Sequence, residues 1–527
     1  MAAVALESSP QPKRLRVGIF ADTRLQPRWV VEAFDKVARS DFALVVLIKV
    51  LSSSEAQKPF LWNVYGRLDR RLFGPDHSEP KDLKDVLHLE FASGTNPDLI
   101  KLDLDVAFAI GAVDDRALDG IARHGVWRFY FGPERTSSEA FAGWREVVDD
   151  APVTASGVKV RMTPGAPPRI AYQSWSRTYP FSLARNRARL LAKTGEFAWR
   201  SLRDLHRFGE PWLEQCKLVN DVKEPAGLTN KDVLGVFPQL ASRLLKRSVE
   251  KALGIDQWFL AFRWGDPRKL SADLSGYRRM MPPKDRIWAD PFAVEKNGRH
   301  FVFFEELPFS TGKGHIAVSE VRRDGSWSQP VKVLERDYHL SYPFIFEADG
   351  ELFMVPETAQ NRTVEVYRCI DFPLKWKLDR VLMDGVRLVD ATFHRSGELW
   401  WMFANGAAPG SSVFDDELYL FFSNKINGSW HPHPRNPVKS DARGARPAGQ
   451  LYWKNGALYR PAQICVPRYG AGLALHRVLR LTPNEYAERQ VERILPDARQ
   501  NLLGLHTVNR AGDLTVIDAF ARRRRIG

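Results

Sequence analysis

Three carboxylates in the second half of the chain have the arrangement of an acid–base set. Asp290, Glu357 and Asp390 stand at related positions of a repeated pattern, and Asp290 lies in the segment W-A-D-P-F. Two carboxyl groups that face each other across a channel can serve as general acid and general base on a glycosidic bond, when one is ionised and the other is kept protonated. The alternative is structural, because a repeated acid often hydrogen-bonds neighbouring strands. We interpret the three as catalytic candidates.

Further polar and aromatic side chains recur around them and are predicted to contact a substrate. Glu305, Glu357 and Gln463 each follow a glycine by seven residues, and Asp518 follows one by six. His506 begins the last repeat. The predicted substrate-binding set is Trp288, Glu305, Tyr342, Arg446, Gln450, Gln463, His506 and Asp518.

Other chemistries find no support in the sequence. Cys216, Cys369 and Cys465 are scattered without the spacing of metal ligands. There is no G-x-S-x-G nucleophile motif, no P-loop, and no dinucleotide-binding G-x-G-x-x-G after the first strand. We therefore expect neither a metal ion nor a cofactor.

The element that must position these residues is a fivefold repeat. Each copy has an apolar strand, a turn with a glycine that supplies positive φ, and a second strand rich in aromatic or β-branched residues. The glycines are 52, 47, 59 and 56 residues apart, close to the length of a four-stranded propeller blade. They are Gly298, Gly350, Gly397, Gly456 and Gly512. Residues 255–527 are predicted to form a five-bladed β-propeller whose channel is lined by the first strand of each blade, and Gln257 to Arg263 are predicted to close the ring.

The first part of the chain has a different pattern. Leu15 to Ala21 is a continuous apolar run of the kind found in buried parallel strands, followed by a helical pattern from Pro27 to Ala38. Strands are predicted at Phe42 to Val50 and Val106 to Ile110, with a helix from Asp114 to Arg123. After a disordered lead of residues 1–14, residues 15–175 are predicted to form a doubly wound, Rossmann-like α/β domain.

Residues 176–254 are predicted to form a basic helical connector. Apolar residues recur with helical spacing between Ser182 and Phe208, and a second helix is predicted from Val236 to Leu253. The polar face of helix 183–207 is either solvated or in contact with an anionic surface such as a membrane. Its cations are Arg185, Arg187, Arg189, Lys193, Arg200, Arg203 and Arg207.

Composition narrows the class of partner and the compartment. The chain of 527 residues carries a net charge of +14, which favours an anionic partner. Nucleic acid is disfavoured because no zinc finger, RNA-binding sheet motif or basic zipper accompanies the charge. Three unpatterned cysteines, and the lack of a signal peptide or long apolar run, lead us to expect a soluble, cytoplasmic protein.

The propeller region resembles two families. The segment W-A-D-P-F-A-V-E at Trp288 to Glu295 is similar to the first-blade signature of the arabinanase and invertase-like glycosidases, which implies a base or nucleophile at Asp290. Residues 255–527 more closely resemble the amino-terminal domain of plant glucosamine inositolphosphorylceramide transferases. That resemblance rests on S-Y-P-F at Ser341 to Phe344, P-E-T at Pro356 to Thr358 and R-P-A-G-Q at Arg446 to Gln450.

The first domain resembles the formyltransferase fold, through L-R-V-G-I-F at Leu15 to Phe20 and the segment from Gly125 to Gly157. That family uses an Asn, a His and an Asp, with the Asn steadying an oxyanion. Here Arg128 and Tyr130 stand at the first two positions, and residues 163–168 contain no acid. We expect formyl transfer to be lost, and we interpret the nearby His124 as a surface residue at a helix end.

Together these patterns predict a carbohydrate-active protein that takes part in the assembly or modification of a glycan or glycolipid. The propeller channel would bind, and as an enzyme also process, a sugar or a glycolipid headgroup, which the net charge suggests is anionic. Two alternatives stay open. One is a sugar formyl or acyl transferase that uses the first domain, and the other is a non-catalytic scaffold whose propeller only binds glycan.

Overall fold

The computed structural model describes residues 13–51, 58–75, 78–86, 102–132, 136, 139, 141–220, 228–265, 274–408 and 413–524. Most of the predicted disordered lead, residues 1–12, lies outside the described residues. The chain divides into two units. The first comprises Met1–Ser174, Thr178–Arg243 and Ala408–Ser411, and the second Trp175–Arg177, Leu244–Ala407 and Ser412–Gly527.

A seven-stranded sheet is the centre of the first unit, in the order β3-β1-β5-β6-β7-β8-β9. Strands β3, β1, β5 and β6 pair in parallel, whereas β7 runs antiparallel to β6, and β9 to β8. The short strands β2 and β4 form a separate pair. The strands are β1 (Leu15–Ala21), β2 (Leu25–Pro27), β3 (Ala43–Val50), β4 (Pro80–Asp82), β5 (Val106–Ile110), β6 (Val126–Phe131), β7 (Val153–Arg161), β8 (Arg169–Arg177) and β9 (Lys217–Leu218).

Within the described residues six helices accompany the strands, and aromatic contacts hold the first of them on the sheet. Trp29 and Phe34 of α1 meet Phe129 and Phe108 of the sheet edge-on, with ring centroids 5.0 and 5.1 Å apart. The helices are α1 (Arg28–Ala38), α2 (Phe60–Phe73), α3 (Trp144–Val148), α4 (Leu183–Phe208), α5 (Glu210–Gln215) and α6 (Asn230–Leu253). None of the helices within the described ranges is both long and apolar enough to cross a membrane.

The predicted strands at β1, β3 and β5 and the helix at α1 are confirmed, but the helix predicted from Asp114 to Arg123 is wrong. That stretch contains one 3₁₀ turn, Asp115–Leu118. The Asp114 side chain caps the turn by accepting from the backbone N–H of Arg116, and Gly120 then takes a φ of 79°, which right-handed helices do not allow. His124 is also not at a helix end: it is buried, 8% exposed, in the turn before β6.

The predicted helix between Ser182 and Phe208 is confirmed as α4, with the Ser182 hydroxyl accepting from the backbone N–H of Arg185. Its predicted basic face is wrong in part. Of its seven cations only Arg185 and Arg207 are exposed, while Arg187, Lys193 and Arg200 are buried. The helix packs on several sides, so most of its cations contact protein. The Arg200 guanidinium, for example, donates to the Tyr172 hydroxyl at 2.8 Å.

The second unit is a five-bladed β-propeller, as predicted. Each blade is an antiparallel sheet built outward from the axis. The first blade is β12 (Arg286–Lys296), β13 (Arg299–Pro308), β14 (His315–Val321) and β15 (Val331–Leu334). The second is β16 (Ser341–Ala348), β17 (Glu351–Glu357), β18 (Thr363–Asp371) and β19 (Lys375–Asp384). The third is β20 (Leu388–Ser396), β21 (Leu399–Gly406), β22 (Glu417–Ser423) and β23 (His431–Pro432), with β24 (Lys439–Ser440) also paired to β22.

The last two blades depart from this regular plan. The fourth is β25 (Tyr452–Lys454), β26 (Ala457–Ile464), β27 (Gly472–Leu481) and β28 (Tyr486–Ile494), so its inner strand is only three residues long. The fifth combines β29 (Leu502–Ala511) and β30 (Leu514–Arg524) with β10 (Gly254–Trp264) and β11 (Arg278–Met280). Strand β10 pairs with β30 along its whole length, which confirms the predicted closing strand.

Candidate functional site

A β-bulge interrupts the inner strand at the same place in four blades. In the first blade, Ala289 pairs with Glu305 and the next pair is Phe292 with Phe303, so Asp290 and Pro291 together lie opposite a single residue, Phe304. The same shift occurs after Ser341, Val389 and Leu505. Bulges turn side chains away from the regular alternation of a strand. Here they turn four predicted site residues toward the axis, namely Asp290, Tyr342, Asp390 and His506.

Three of these bulge residues have unusual backbone. Asp290, Tyr342 and Asp390 have φ values of 52°, 43° and 54°. Left-handed backbone is uncommon for residues other than glycine and costs about 1–3 kcal/mol where it persists. The contacts of their side chains therefore compensate for this unfavourable backbone conformation.

Asp290 is held from three directions. Its Oδ1 accepts from the Thr507 hydroxyl at 2.8 Å and lies 3.1 Å from Nε2 of His506. Its Oδ2 accepts from the backbone N–H of Tyr342 at 3.3 Å. The other ring nitrogen of His506, Nδ1, is 2.6 Å from Asp518 Oδ2. An imidazole ring is thus clamped between two buried carboxylates from different blades.

The contacts between His506 and the two carboxylates determine the charges of His506 and Asp290. Burial disfavours a charged imidazole, but Asp518 and Asp290 outweigh it and raise the pKa of His506 to about 10. Burial likewise disfavours a charged Asp290, yet the charge and hydrogen bond of His506 and the hydrogen bond of Thr507 hold the pKa of Asp290 below its usual value. At neutral pH, His506 is an imidazolium and Asp290 a carboxylate.

The same three residues, Asp290, His506 and Asp518, could hold a metal ion, since their ligand atoms lie within 4.8 Å of one another. Metal ligation needs a neutral imidazole nitrogen with a free lone pair. Here both ring nitrogens already face carboxylates. The contacts therefore fit a charged imidazolium better than a metal ligand, and the absence of a metal stays a prediction.

Asp390 forms the second centre with Arg446. Its carboxylate accepts from Nε of Arg446 at 2.6 Å and from Nη2 at 3.2 Å, and from the Gln463 amide at 2.9 Å. Burial raises the pKa of Asp390, although the charge of Arg446 opposes the rise. The guanidinium also lies over the ring of Tyr469, 4.7 Å from its centroid. Oε1 of Gln463 is buried and has no partner among the described residues.

Glu357 is the carboxyl of this group with the most solvent access, at 15% side-chain exposure against 5% for Asp290 and 1% for Asp390. The Ser341 hydroxyl donates to its Oε2 at 3.2 Å, and Nη2 of Arg446 is 4.0 Å from the same oxygen. Burial, followed by the charge of Asp390, raises the pKa of Glu357 to about 8. Glu357 is therefore protonated at neutral pH, next to the fixed Arg446.

Glu305 is a second carboxyl whose pKa is raised. Burial and the charge of Asp290 raise its pKa well above the usual value. Its Oε1 is 3.3 Å from Nε2 of His339, whose Nδ1 accepts from the backbone N–H of Gly314 at 3.0 Å. That bond uses Nδ1 as an acceptor, so a neutral His339 carries its proton on Nε2, the nitrogen that faces Glu305. Burial lowers the pKa of His339, in keeping with a neutral ring.

We name the side chains of Asp290, Glu305, Glu357, Asp390, Arg446 and His506 the axial cluster; all of them are predicted site residues. Gln463 and Asp518 bind directly to it. Tyr342 contributes its backbone N–H, while its hydroxyl accepts from the backbone N–H of Gly449 at 2.7 Å. Trp288 and Gln450 make other contacts. The Trp288 indole N–H donates to Glu306 at 2.7 Å, and the Gln450 amide donates to the Ile345 carbonyl at 3.3 Å.

Sequence reasoning missed several residues. Asn405 pairs with Val389 as Glu305 pairs with Ala289, and it is fully buried with neither side-chain polar atom hydrogen-bonded within the described part of the chain. Register in the third blade would have identified Asn405, because Gly397 occupies the first turn position and shifts the count from glycine by one. His339 and Thr507 do not stand at a position that the repeat pattern marks, so no signal in the sequence identified them.

Two aromatic residues outside the predicted set stand beside His506. The rings of Trp258 and Tyr469 have centroids 4.1 and 5.3 Å from the imidazole, and both residues are half-buried. Gly470 makes room for this arrangement: a Cβ there would lie 2.6 Å from the edge of the Trp258 ring. We name Trp258 and Tyr469 the aromatic wall. Such faces can stack against the C–H surface of a sugar.

Comparison with known proteins gives a partial match. A family model described as "Glucosamine inositolphosphorylceramide transferase 1, N-terminal" matches residues 280–509. The glucosamine inositolphosphorylceramide transferase 1 of Oryza sativa subsp. japonica is 36% identical over 215 residues, and that of Arabidopsis thaliana is 31% identical over 215 residues. These matches cover 40% of this chain and 29% and 28% of the relatives, so the chain spans under a third of their length.

Solved structures with similarity to the chain include two glycoside hydrolases. The catalytic domain of a family 62 α-L-arabinofuranosidase from Coprinopsis cinerea is 13% identical, with a TM-score of 0.36, and the match covers 51% of this chain and 96% of that one. A family 117 glycoside hydrolase from Zobellia galactanivorans is 11% identical, with a TM-score of 0.34, over 50% of this chain and 90% of that one.

Proposed function

We propose that the propeller acts on carbohydrate and binds the sugar of a glycan or glycolipid at the axial cluster, with Glu357 as the proton donor. The observation that carries the proposal is the split in charge between neighbouring carboxyls. Glu357 is protonated and has solvent access, while Asp290 is ionised and buried. Two carboxyls whose surroundings push their pKa values apart are the usual basis for assigning acid and base roles.

The roles differ from those that the sequence suggests. Glu357 would protonate the oxygen that leaves the sugar, so that the C–O bond breaks without an alkoxide forming, while water or an acceptor hydroxyl forms the new bond to the anomeric carbon. The proton that this nucleophile loses would return to the Glu357 carboxylate through solvent. Asp390 would act through its neighbours, since it holds Arg446 in place and its charge helps to keep Glu357 protonated. Asp290 would fix the imidazolium of His506 together with Asp518, so its role, like that of Asp390, is to hold a buried cation in place.

The relatives support a sugar-containing lipid as substrate. Their names contain glucosamine, inositolphosphorylceramide and transferase, and residues 280–509, which match the family model, lie within the propeller. The guanidinium of Arg446, whose side chain is 12% exposed, would suit a phosphate-bearing headgroup. A headgroup of this class is therefore our proposed substrate, and the aromatic wall would cover the apolar face of its sugar.

The test compares wild type with Glu357→Gln on an array that carries hexosamine-containing and inositol phosphate-containing glycans, together with an assay of sugar release or transfer from the glycans that bind. We expect wild type to bind and turn over a member of this class. Glu357→Gln should bind it and lose turnover at least 100-fold, because the amide cannot donate an acidic proton. Glu347→Gln, an exposed carboxyl in the same blade, is the matched control. Wild-type turnover retained in Glu357→Gln would defeat the proposed role.

A second candidate is binding without turnover. The observation in its favour is that each carboxylate oxygen of Asp290 and Asp390 already accepts from, or faces, a donor of the protein. This candidate predicts glycan binding by wild type with no turnover of any bound glycan. Failure of wild type to bind any glycan or glycolipid would contradict both candidates.

For the first unit, we propose a formyltransferase-like fold that no longer transfers formyl groups. Supporting observations are its four parallel strands and the contacts of Arg128, whose buried guanidinium donates to the Gly111 and Val113 carbonyls. A guanidinium committed to backbone cannot steady an oxyanion as a catalytic Asn does. We expect no formyl transfer from formyltetrahydrofolate to amino sugars. Transfer by wild type that Tyr130→Phe abolishes would overturn this proposal and restore the sugar formyltransferase alternative.

A further inference from the structure

Helix α2 presents a continuous apolar stripe to solvent. Phe60, Val64, Leu68 and Leu72 follow one another at intervals of four residues, so they stack along one side of the helix. Their exposures are 73%, 47%, 50% and 67%. Large apolar side chains scattered singly on a surface are ordinary, but four in line over three turns mark an interaction surface.

The stripe is not the side by which α2 is anchored. The adjoining side carries Tyr65 and Asp69, both 4% exposed. Tyr65 packs in a cluster with Trp144, Val233 and Val236, and Asp69 accepts from the backbone N–H of Ala184 at 2.6 Å. The helix is thus fixed through one face while its apolar face stays outside.

The charges on the exposed side of α2 are all positive. Arg67 and Arg71 are exposed and stand three residues after Val64 and Leu68, which places them on the row beside the stripe. The single acid of α2 is Asp69, and it is buried. An apolar stripe edged by arginines has the composition of a helix that lies in the interface of an anionic membrane.

The neighbouring helix extends the exposed apolar surface. Phe237 of α6 meets Tyr65 edge-on with centroids 5.5 Å apart, and the side chain of Asn230 accepts from the backbone N–H of Leu61 at 3.0 Å. Leu234 and Phe237 are themselves 55% and 40% exposed. Two adjacent helices therefore offer apolar side chains to the same environment.

We propose that α2 docks the protein on an anionic lipid surface, with its apolar stripe in the acyl boundary and Arg67 and Arg71 at the headgroups. The argument for lipid over a protein partner is the combination of an apolar stripe, an arginine row and no exposed acid on α2, within a chain of net charge +14. We therefore propose α2, and not α4, as the helix that contacts the membrane, because most of the cations of α4 are covered by protein. It would bring the chain to the surface on which glycolipids reside, but it does not depend on the proposed sugar chemistry.

The test is co-sedimentation of the full-length protein with vesicles of phosphatidylcholine and phosphatidylserine, and with vesicles of phosphatidylcholine alone. Wild type should bind the mixed vesicles and bind pure phosphatidylcholine far more weakly. Val64→Glu with Leu68→Glu should lower the affinity about tenfold or more, because the stripe can then no longer enter the lipid. Arg67→Glu with Arg71→Glu should also weaken binding to the mixed vesicles, and added salt should weaken wild type.

The matched control is Leu378→Glu with Val381→Glu, an exposed apolar pair on β19 with exposures of 41% and 46%. This control should bind vesicles like wild type, and all variants should show the wild-type circular dichroism melt. As a measurement independent of stability, an environment-sensitive fluorophore attached after Leu68→Cys, with Cys216 and Cys369 replaced by serine, should shift to the blue on mixed vesicles.

Three results would overturn the proposal. The first is a wild type that does not bind mixed vesicles, and the second is a stripe variant that is well folded and binds them as wild type does. The third is a wild-type dimer, seen by light scattering, that Val64→Glu with Leu68→Glu converts to a monomer without any vesicle binding. That last result would assign the stripe to a second copy of this chain.

Discussion

Asp290 and Asp390 stand at equivalent bulges, yet each is committed to a different cation. Asp290 shares His506 with Asp518, and Asp390 binds Arg446 by both oxygens. Buried charges persist in proteins when they are paired and hydrogen-bonded, and breaking one partner away is costly. Substitutions of Asp290 and Asp390 should therefore change mainly the stability of the propeller, while a substitution of Glu357 should change mainly the turnover of a substrate.

We expect Asp290→Asn to destabilise the propeller by about 3 kcal/mol at pH 7, because it removes one of the two carboxylates that hold a buried imidazolium. The measurement is urea unfolding at pH 7 and pH 9. The His506 contribution is complete below its unfolded pKa of 6.5 and is lost as pH rises toward the folded value of about 10. In Asp290→Asn the stabilisation by charged His506 should be lost at a lower pH, because one of the two carboxylates that raise the pKa of His506 is gone.

Glycan binding measured on the same preparations separates the two roles of Asp290. A variant with wild-type stability that no longer binds glycan would contradict the structural role we assign to Asp290. Thr507→Val is a milder companion, since it removes one donor to Asp290 Oδ1 and leaves His506 in place. It should cost about 1 kcal/mol.

Glu357→Gln should stabilise the propeller at high pH, whereas Asp290→Asn should destabilise it. The folded pKa of Glu357, about 8, lies above its ordinary value of 4.5, so the wild type loses stability as pH rises between these values. The neutral amide has no such loss. The variant should therefore gain stability relative to wild type on going from pH 5 to pH 9, by about 1–3 kcal/mol after allowance for solvent access. Thermal melts across this range would contradict the raised pKa if the two proteins changed in parallel.

At the scale of elements, the hairpin turns determine which side chains enter the axial cluster. Asn297 and Gly298 both have positive φ, as do Asp349 with Gly350 and Asn455 with Gly456, which suits the tight turns that twisted strands need. In the third and fifth blades the glycine comes first in the turn instead. A count of residues from glycine therefore slips by one in the third blade, which is why Asn405 and not Ala404 occupies the position of Glu305 and Glu357.

The loop between β26 and β27 carries Tyr469 of the aromatic wall and Gly470 beside Trp258, and these residues allow a graded test. Tyr469→Ala should lower affinity for the sugar about fivefold to tenfold, since it removes one stacking face, whereas Tyr469→Phe should keep most of the affinity. Gly470→Ala should also lower it, because a Cβ there meets the Trp258 ring and the φ of 64° disfavours alanine. Calorimetric titration with a glycan identified on the array measures all three. Full affinity in Tyr469→Ala would remove the aromatic wall from the binding site.

At the scale of the molecule, one strand closes the propeller. Strand β10 precedes the first blade in sequence but pairs with β30, so the last blade is completed by residues from both ends of the unit. A ring closed in this way has no exposed sheet edge at the junction and gains the stability of a continuous core. Phe259 and Ala261 of β10 are fully buried in that core.

We expect residues 255–527 to fold without the rest of the chain and to melt cooperatively, because the five blades and nearly all of β10 lie within that span. The matched control is residues 266–527, which lack β10. That shorter fragment should aggregate or melt at a much lower temperature, since β30 then keeps β29 but loses its other partner, β10. Aggregation of 255–527 under conditions in which the full chain stays folded would refute this boundary.

The sequence by itself determined the features that depend on local periodicity. Alternating apolar residues and five glycine turns were sufficient for the strands, the blade number and the closing segment, because backbone geometry repeats within a few residues. The spacing of apolar residues was likewise sufficient to predict helix α4. Its surroundings were not, since amphipathic spacing shows which residues share a side of a helix but not how many sides are covered.

Only the tertiary structure decided which residues meet at the axis and in what charge state. Asp290 accepts from residues more than 200 positions away, and its backbone N–H donates to Asp518, 228 positions along the chain. No local pattern encodes such partners, because they depend on the closing of the whole ring. The pKa of Glu357 depends on burial and on the charge of Asp390 in the next blade, so the distinction between a proton donor and an ion-pair partner exists only after the blades have assembled.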